Sequence, residues 1–333
     1  MIILCTSANG EVKLQLDLIQ SGSPYSFLVP GGKALLGRKW TPIGAKPAAV
    51  LVAVHGTQTH SGWFGGLAVE MSHHGWAVSA PDRDGSGLNL AHHDSGLPKA
   101  FDGEHWLSWL KWLDAAVGHA VSAHPDVPVY LLGSSWSTAL VTAYMDAQPS
   151  FKSNWQPKHP ALLAGLILSV PSGLVSHVPG RVKKAEVLAM SALGILLPPL
   201  KRLSTSIGIP ADTYSDNPDV QGLIADQDIP LPILKPEPPL QRGSQDPRII
   251  HRATYAFMYQ SALMRRAALK ALPRLRPAPL LVVLTEVDRI ADNAKLGTLF
   301  PAANVVTIPQ TQHAIQVERP DLLAAEILRW TSR

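Results

Sequence analysis

The stretch Val127-Pro128-Val129-Tyr130-Leu131-Leu132-Gly133-Ser134-Ser135-Trp136-Ser137-Thr138-Ala139-Leu140 decides the fold. An apolar run is followed by small residues and then by a helix-forming segment, so the order is buried strand, tight turn, helix. A serine in the middle of such a turn projects its hydroxyl above the sheet while the flanking backbones nearly touch. Bulky flanks would clash, and here the flanks of Ser135 are Gly133 and Ser137. The helix expected from Ser135 onward points its amino terminus at that hydroxyl, where it favours negative charge. The plain alternative is that Ser134 to Ser137 merely cap a helix.

Outward from this point, further short apolar runs bounded by turn residues recur at Ala49 to His55, Trp76 to Pro81, Leu162 to Val170, Pro279 to Thr285 and Val305 to Pro309. They predict buried parallel strands. Between them, Trp106, Leu110, Leu113, Val117 and Val121 repeat at helical spacing, and so do Leu323, Ile327 and Trp330 behind Pro320 at a helix start. The alternation predicts an α/β fold: a doubly wound, mostly parallel sheet with right-handed crossovers and its site at the carboxyl ends of the strands.

The expected layout is an N-terminal extension over 1–24, a core over 25–171 and 253–333, and a proline-rich cap or lid inserted over 172–252. Inside the cap, Ala185 to Leu200 is almost wholly apolar apart from Glu186. That stretch either packs on the body, or faces a greasy substrate or a membrane surface.

Composition excludes several classes. With 46% hydrophobic and 16% charged residues the chain expects a large core, not global disorder. A net charge of +4 without a long Lys/Arg run argues against a nucleic-acid partner. The single cysteine, Cys5, excludes an internal disulfide framework and a multi-cysteine metal site, and it favours the cytoplasm. No secretory leader and no apolar run of about 18 residues is read from the chain, so a soluble or membrane-peripheral protein is expected. The pairs His73-His74 and His92-His93 lack a third ligand at a telling spacing, and Gly85-Ser86-Gly87 lacks the third glycine of a dinucleotide fingerprint. No metal and no cofactor are expected.

A serine hydroxyl needs a base to take its proton and an acid to orient that base. In this architecture the chain order is Ser, then Asp or Glu, then His, each on a loop after a strand. Behind the strand Pro279 to Leu284 comes Thr285-Glu286-Val287-Asp288-Arg289-Ile290, and Asp288 is the expected acid. Glu286 and Asp292 are its fallbacks, and a helix-capping role is the plain alternative. Behind the next strand comes Gln310-Thr311-Gln312-His313-Ala314, with His313, the only histidine after His251, as the expected base. Two backbone N–H groups should hold an oxyanion: that of Trp136, after the nucleophile, and that of Thr57, after Val52-Ala53-Val54-His55-Gly56. His55 and Gly56 are read as shaping that loop. Gln58, Thr59, His60 and Trp63 either line the site or are ordinary loop residues.

Together, Val54-His55-Gly56 through Ser61-Gly62-Trp63, Ala80-Pro81-Asp82-Arg83-Asp84-Gly85-Ser86-Gly87, the Ser135 turn, Asp288 and His313 resemble the monoacylglycerol lipase and lysophospholipase-like branch of the α/β-hydrolases. The likeness runs from about Ser26 onward and is weakest in the cap. It implies an oxyanion loop, a structural turn and a Ser-Asp-His triad at the matching positions. Two departures stand out: Ser137 occupies the second glycine of the turn, and Thr285 the glycine before the acid. The implied protein is a serine hydrolase of carboxylic esters acting through an acyl-enzyme on a small-molecule ester or lipid, and the apolar cap extends this to medium or long acyl groups. Acyl transfer and amide cleavage share the same triad. From another class, a ligand-binding protein that keeps the fold without turnover is the alternative.

Overall fold

The computed structural model describes residues 21–44, 46–57, 59–84, 86–92, 106–146, 155–177, 211–221, 255–275, 279–301 and 304–333. Every strand expected from an apolar run forms: β3 (Ala49–Val54), β4 (Trp76–Pro81), β5 (Val129–Ser134), β6 (Leu163–Ser169), β7 (Leu280–Thr285) and β8 (Val305–Ile308). Two more precede them, β1 (Ser23–Leu28) and β2 (Ala34–Trp40), joined across Val29-Pro30-Gly31-Gly32-Lys33. These two carry no continuous apolar run because β1 alternates, burying Tyr25 and Phe27 and exposing the residues between. The eight strands form one sheet in the order β1-β2-β4-β3-β5-β6-β7-β8. Pairings β1·β2 and β2·β4 are antiparallel and the rest are parallel.

The continuous apolar runs follow from burial on both faces. Along β3, Val50, Val52 and Val54 enter one core cluster while Ala49, Leu51 and Ala53 enter the other. β7 divides in the same way, with Leu280, Val282 and Leu284 on one side and Leu281 and Val283 on the other. The first cluster takes residues of α2 (Trp106–Ala123), α3 (Ser137–Tyr144), α4 (Tyr255–Ala271) and α5 (Asn293–Leu299); the second takes α1 (Gly65–His73) and α6 (Pro320–Thr331). Pro320 opens α6 at a position whose N–H would be unpaired anyway. The arrangement is the α/β-hydrolase kind of doubly wound sheet.

Topology places the site. From β3 the chain goes to β4 on one side, and β5 then enters on the other, so a crevice opens beyond the carboxyl ends of β3 and β5. Those ends carry Thr57 and Ser135.

One expectation needs correcting. The helix after β5 starts at Ser137, not at Ser135, because Ser135 has φ +58° and cannot belong to a right-handed helix. At the start of the expected cap, Ser176 bridges Ala291 antiparallel and the His177 N–H donates to Ile290 O at 2.8 Å, so these residues are fastened to the loop after β7. The apolar stretch Ala185 to Leu200 lies outside the described residues. Among the described residues no helix is long and apolar enough to cross a membrane.

Candidate active site

Ser135 sits at the strand-to-helix turn in the left-handed region that non-glycine residues rarely adopt. Its neighbours fix it there. The Ser135 N–H donates to Ser169 O on β6 at 2.9 Å, and Ser135 O accepts from the Thr138 N–H at 3.1 Å and its hydroxyl at 2.6 Å. A Cβ on Gly133 would stand 2.5 Å from Val141 Cγ2 and 2.9 Å from Ser137 O, so only glycine admits this close approach of strand and helix. Ser137 fits where the family has glycine and adds a tie. Its hydroxyl accepts from the Ser134 N–H at 2.8 Å and donates to Val54 O at 2.7 Å, joining the turn to the end of β3.

Asp288 and His313, far apart in the chain, meet Ser135 here. His313 Nδ1 lies 3.0 and 2.9 Å from the two Asp288 oxygens, and His313 Nε2 lies 2.8 Å from Ser135 Oγ. A carboxylate only accepts, so Nδ1 carries the proton and Nε2 presents its lone pair to the Ser135 hydroxyl. Burial alone would raise the Asp288 carboxyl, but the His313 ring and the Ala291 and Ile290 amides outweigh it and hold the group below the usual carboxylate range. Those amides donate to Asp288 Oδ1 at 2.7 and 2.8 Å. Thr285, at the other departure from the family pattern, is buried with its hydroxyl 3.5 Å from Asp288 Oδ2.

The fallback acids are engaged elsewhere. Glu286 accepts from the Gln310 N–H at 2.7 Å on the surface, and Asp292 caps α5 through the Lys295 N–H at 3.2 Å. His73 and His74 are exposed at the end of α1. Among the described residues no three His, Cys, Asp or Glu side chains gather as a metal site.

On the other side of Ser135, Gly56 and Thr57 line the same small pocket as Ser134, Ser135, Trp63 and His313. Among the described residues, neither the Thr57 N–H nor the Trp136 N–H donates a hydrogen bond to another group. Trp136 is held on several sides, which fixes that amide. Its indole donates to Ser261 Oγ on α4 at 2.9 Å, it packs edge-on against Trp109 and stacks on Phe257, and the Arg83 guanidinium lies 4.5 Å from its ring. His55 shapes the loop, as expected. Its Nδ1 donates to Gly56 O at 2.9 Å while Nε2 accepts from the Arg83 N–H at 3.4 Å, so the ring is neutral, and burial beside Arg83 holds it well below its ordinary range. Thr59 and Trp63 line the pocket, His60 caps the turn Ser61–Phe64 through the Gly62 N–H, and Gln58 lies outside the described residues.

Beneath this loop lies Asp82, wholly buried, whose carboxylate accepts from the Ser61 N–H and hydroxyl at 2.6 and 2.7 Å and from the Leu88 N–H at 3.1 Å. Burial raises this carboxyl to about 6 even so, opposed by those donors and by Arg38. The turn at Ala80 to Gly87 thus holds the loop after β3 from below. Asp82→Ala would orphan three donors and remove the negative charge that favours the buried Arg38 and Arg83 guanidiniums. It is expected to cost about 3–5 kcal/mol of unfolding free energy in urea melts, whereas Asp82→Asn, which keeps an acceptor, should cost less.

One contribution carried no signal in the sequence. Tyr214, from the proline-rich insertion, is buried with its ring edge-on to His313 at 5.5 Å. The residues after it are tied to the loops that carry the acid and the base. Asp216 accepts from both Arg289 nitrogens at 2.7 and 3.1 Å and from the Gln312 amide, and Ser215 donates to Glu318.

A model of the family described as serine aminopeptidase, S33, matches residues 45–320. The chain belongs to this family. Its membership makes the chain a serine hydrolase and bears out the α/β-hydrolase resemblance. Over 271 residues this S33 hydrolase is 29% identical to a monoacylglycerol lipase of Mycolicibacterium smegmatis, covering 80% of each chain, in line with the monoacylglycerol lipase-like branch. Solved structures agree on the fold. A soluble variant of the monoglyceride lipase of Saccharomyces cerevisiae superposes with a TM-score of 0.64 at 14% identity, covering 94% of this chain and 96% of that one. The monoacylglycerol lipase of Paleococcus ferrophilus gives 0.62 at 20% identity, covering 89% and 97%.

Proposed function

We propose that this carboxylic ester hydrolase cleaves medium or long acyl esters, in the manner of a lipase or lysophospholipase, through an acyl-enzyme on Ser135. The observation that carries the reading is His313 set between Ser135 Oγ at 2.8 Å and the Asp288 carboxylate at 2.9 Å. His313 Nε2 takes the hydroxyl proton as Oγ bonds the acyl carbon, then passes it to the departing alkoxide, which leaves as the alcohol. Asp288 orients His313 and stabilises the imidazolium. The Thr57 and Trp136 amides hold the oxyanion. Water activated by His313 then releases the acid. The pocket lining of Gly56, Thr57, Thr59, Trp63, Tyr214 and Ala314 is uncharged, which suits a neutral ester better than the ammonium group of an aminopeptidase substrate.

The cap over 172–252 belongs to the same proposal. Tyr214 over His313 supports a cap that covers the acyl site, and the apolar Ala185 to Leu200 supports a long-chain substrate and contact with a membrane surface. The lone Cys5 favours a reducing, cytoplasmic setting. A fluorophosphonate probe is expected to label Ser135 in the folded protein, as shown by peptide mapping. A p-nitrophenyl ester panel should then give kcat/KM rising from acetyl toward medium or long acyl chains. Preference for acetyl would remove the long-chain reading, and absence of label on Ser135 would remove the nucleophile.

A further inference from the structure

The loop after β6 brings a second hydroxyl to the reacting atom. Ser172 Oγ lies 3.0 Å from Ser135 Oγ, its one hydrogen-bond partner among the described residues. The path of the chain there is costly. Val170, a β-branched residue, has φ +45°, an outlier for its type, and the Ser172 N–H closes a tight turn onto Val170 O at 2.6 Å. The surroundings hold that path in place. The Val170 N–H donates to Val283 O at 2.9 Å, and the Gly173 N–H donates to Ser135 O itself at 3.1 Å. A Cβ on Gly173 would stand 2.3 Å from Trp136 O, so a glycine is needed for the loop to lie this close to the nucleophile's turn. The outcome of all these constraints is the position of Ser172.

Hydrogen accounting fixes the direction of the contact. His313 Nδ1 donates its N–H to Asp288, so His313 Nε2 accepts from Ser135. Ser135 has spent its only hydrogen, and Ser172 must be the donor in the Oγ–Oγ contact. We propose that Ser172 is a catalytic residue: it donates a hydrogen bond to Ser135 Oγ, aims the attacking lone pair, and stabilises the negative charge on that oxygen as it loses its proton to His313. On deacylation the same donor assists Oγ as it leaves the acyl carbon and takes its proton back from His313. No proton leaves Ser172 in either step, and the inference rests on the Ser135 nucleophile proposed above.

Ser172→Ala is expected to lower kcat, and the second-order rate of fluorophosphonate labelling at Ser135, by about 10- to 100-fold, the weight of a hydrogen bond to a charged group. KM and melting temperature should stay near wild type. Ser172→Thr, which keeps the donor, should recover most of the labelling rate. Overturning results are a Ser172→Ala labelling rate within twofold of wild type, or an equal loss in both variants with a lowered melting temperature, which marks a structural role. Ser135→Ala run beside them separates the two readings: if it retains turnover the nucleophile is wrong, whereas a dead Ser135→Ala with a normal Ser172→Ala sinks only the role of Ser172.

Discussion

Ser135→Ala is expected to lower kcat/KM on ester substrates by on the order of 10⁶-fold and to abolish fluorophosphonate labelling. The size follows from cooperation within the constellation. Without the oxygen, the lone pair on His313 Nε2 has no hydroxyl to deprotonate, and Asp288 orients a base with nothing to act on. What persists is binding and oxyanion stabilisation of direct attack by water, worth about 10³–10⁴ over the uncatalysed rate. Stability should barely move. The change removes hydrogen bonds to His313 and Ser172 worth about 1 kcal/mol each at most in net terms. Alanine meets the same penalty as serine at φ +58°, so the strain of the turn is not relieved. The checks are steady-state kinetics and a thermal melt on one preparation. Residual turnover above about a hundredth of wild type, with the melt unchanged, would mean that another group attacks; Ser172, at 3.0 Å, would be the first to remove in a double variant.

What the chain reveals in one dimension follows from how each feature is encoded. Parallel strands buried on both faces must be apolar at every position, so β3, β5 and β7 read as uninterrupted runs. β1 buries only alternate residues and β2 is broken by the polar Arg38 and Lys39, and the stronger clue there is the turn Pro30-Gly31-Gly32, which is a local signal with no run behind it. Ser135, Asp288 and His313 stand out because each follows directly on a strand end, where topology collects side chains. The sequence points to Asp288 with Glu286 as a fallback; what it does not show is the local reason, the Asp288 carboxylate turned inward to receive the Ile290 and Ala291 amides. Ser172 and Tyr214 are missed for physical reasons. The position of Ser172 depends on a valine adopting a conformation that no propensity rule assigns to it, and Tyr214 reaches His313 from a proline-rich insertion without helical or strand period.

Asp288→Asn should be the most informative of the near-isosteric changes, with kcat falling about 10⁴-fold while the fold is retained. The two carboxylate oxygens have unequal surroundings. Oδ1 accepts from the Ile290 and Ala291 N–H groups at 2.8 and 2.7 Å, so the amide oxygen of an asparagine must take that place. Its NH₂ group then falls at the Oδ2 position, 2.9 Å from His313 Nδ1, and points a donor at a ring nitrogen that is itself a donor. The ring responds by shifting its proton to Nε2, which removes the lone pair that faces Ser135. Nothing is lost from the fold except the charge, so KM should change little, while the melting temperature at neutral pH should fall modestly by the stability that the ionised carboxyl contributes there. A pH series gives the sign. The carboxyl of Asp288 is held below its ordinary value, so its contribution to stability is present above about pH 4 and lost as the pH falls through the folded-state value. The asparagine variant should lack that acid-side loss. Glu286→Gln and Asp292→Asn serve as controls, since their carboxylates hold Gln310 and the start of α5 and touch neither His313 nor Ser135. Near-wild-type turnover is expected from both. If Asp288→Asn retained a tenth or more of wild-type kcat while one control collapsed, that control residue would be the orienting acid.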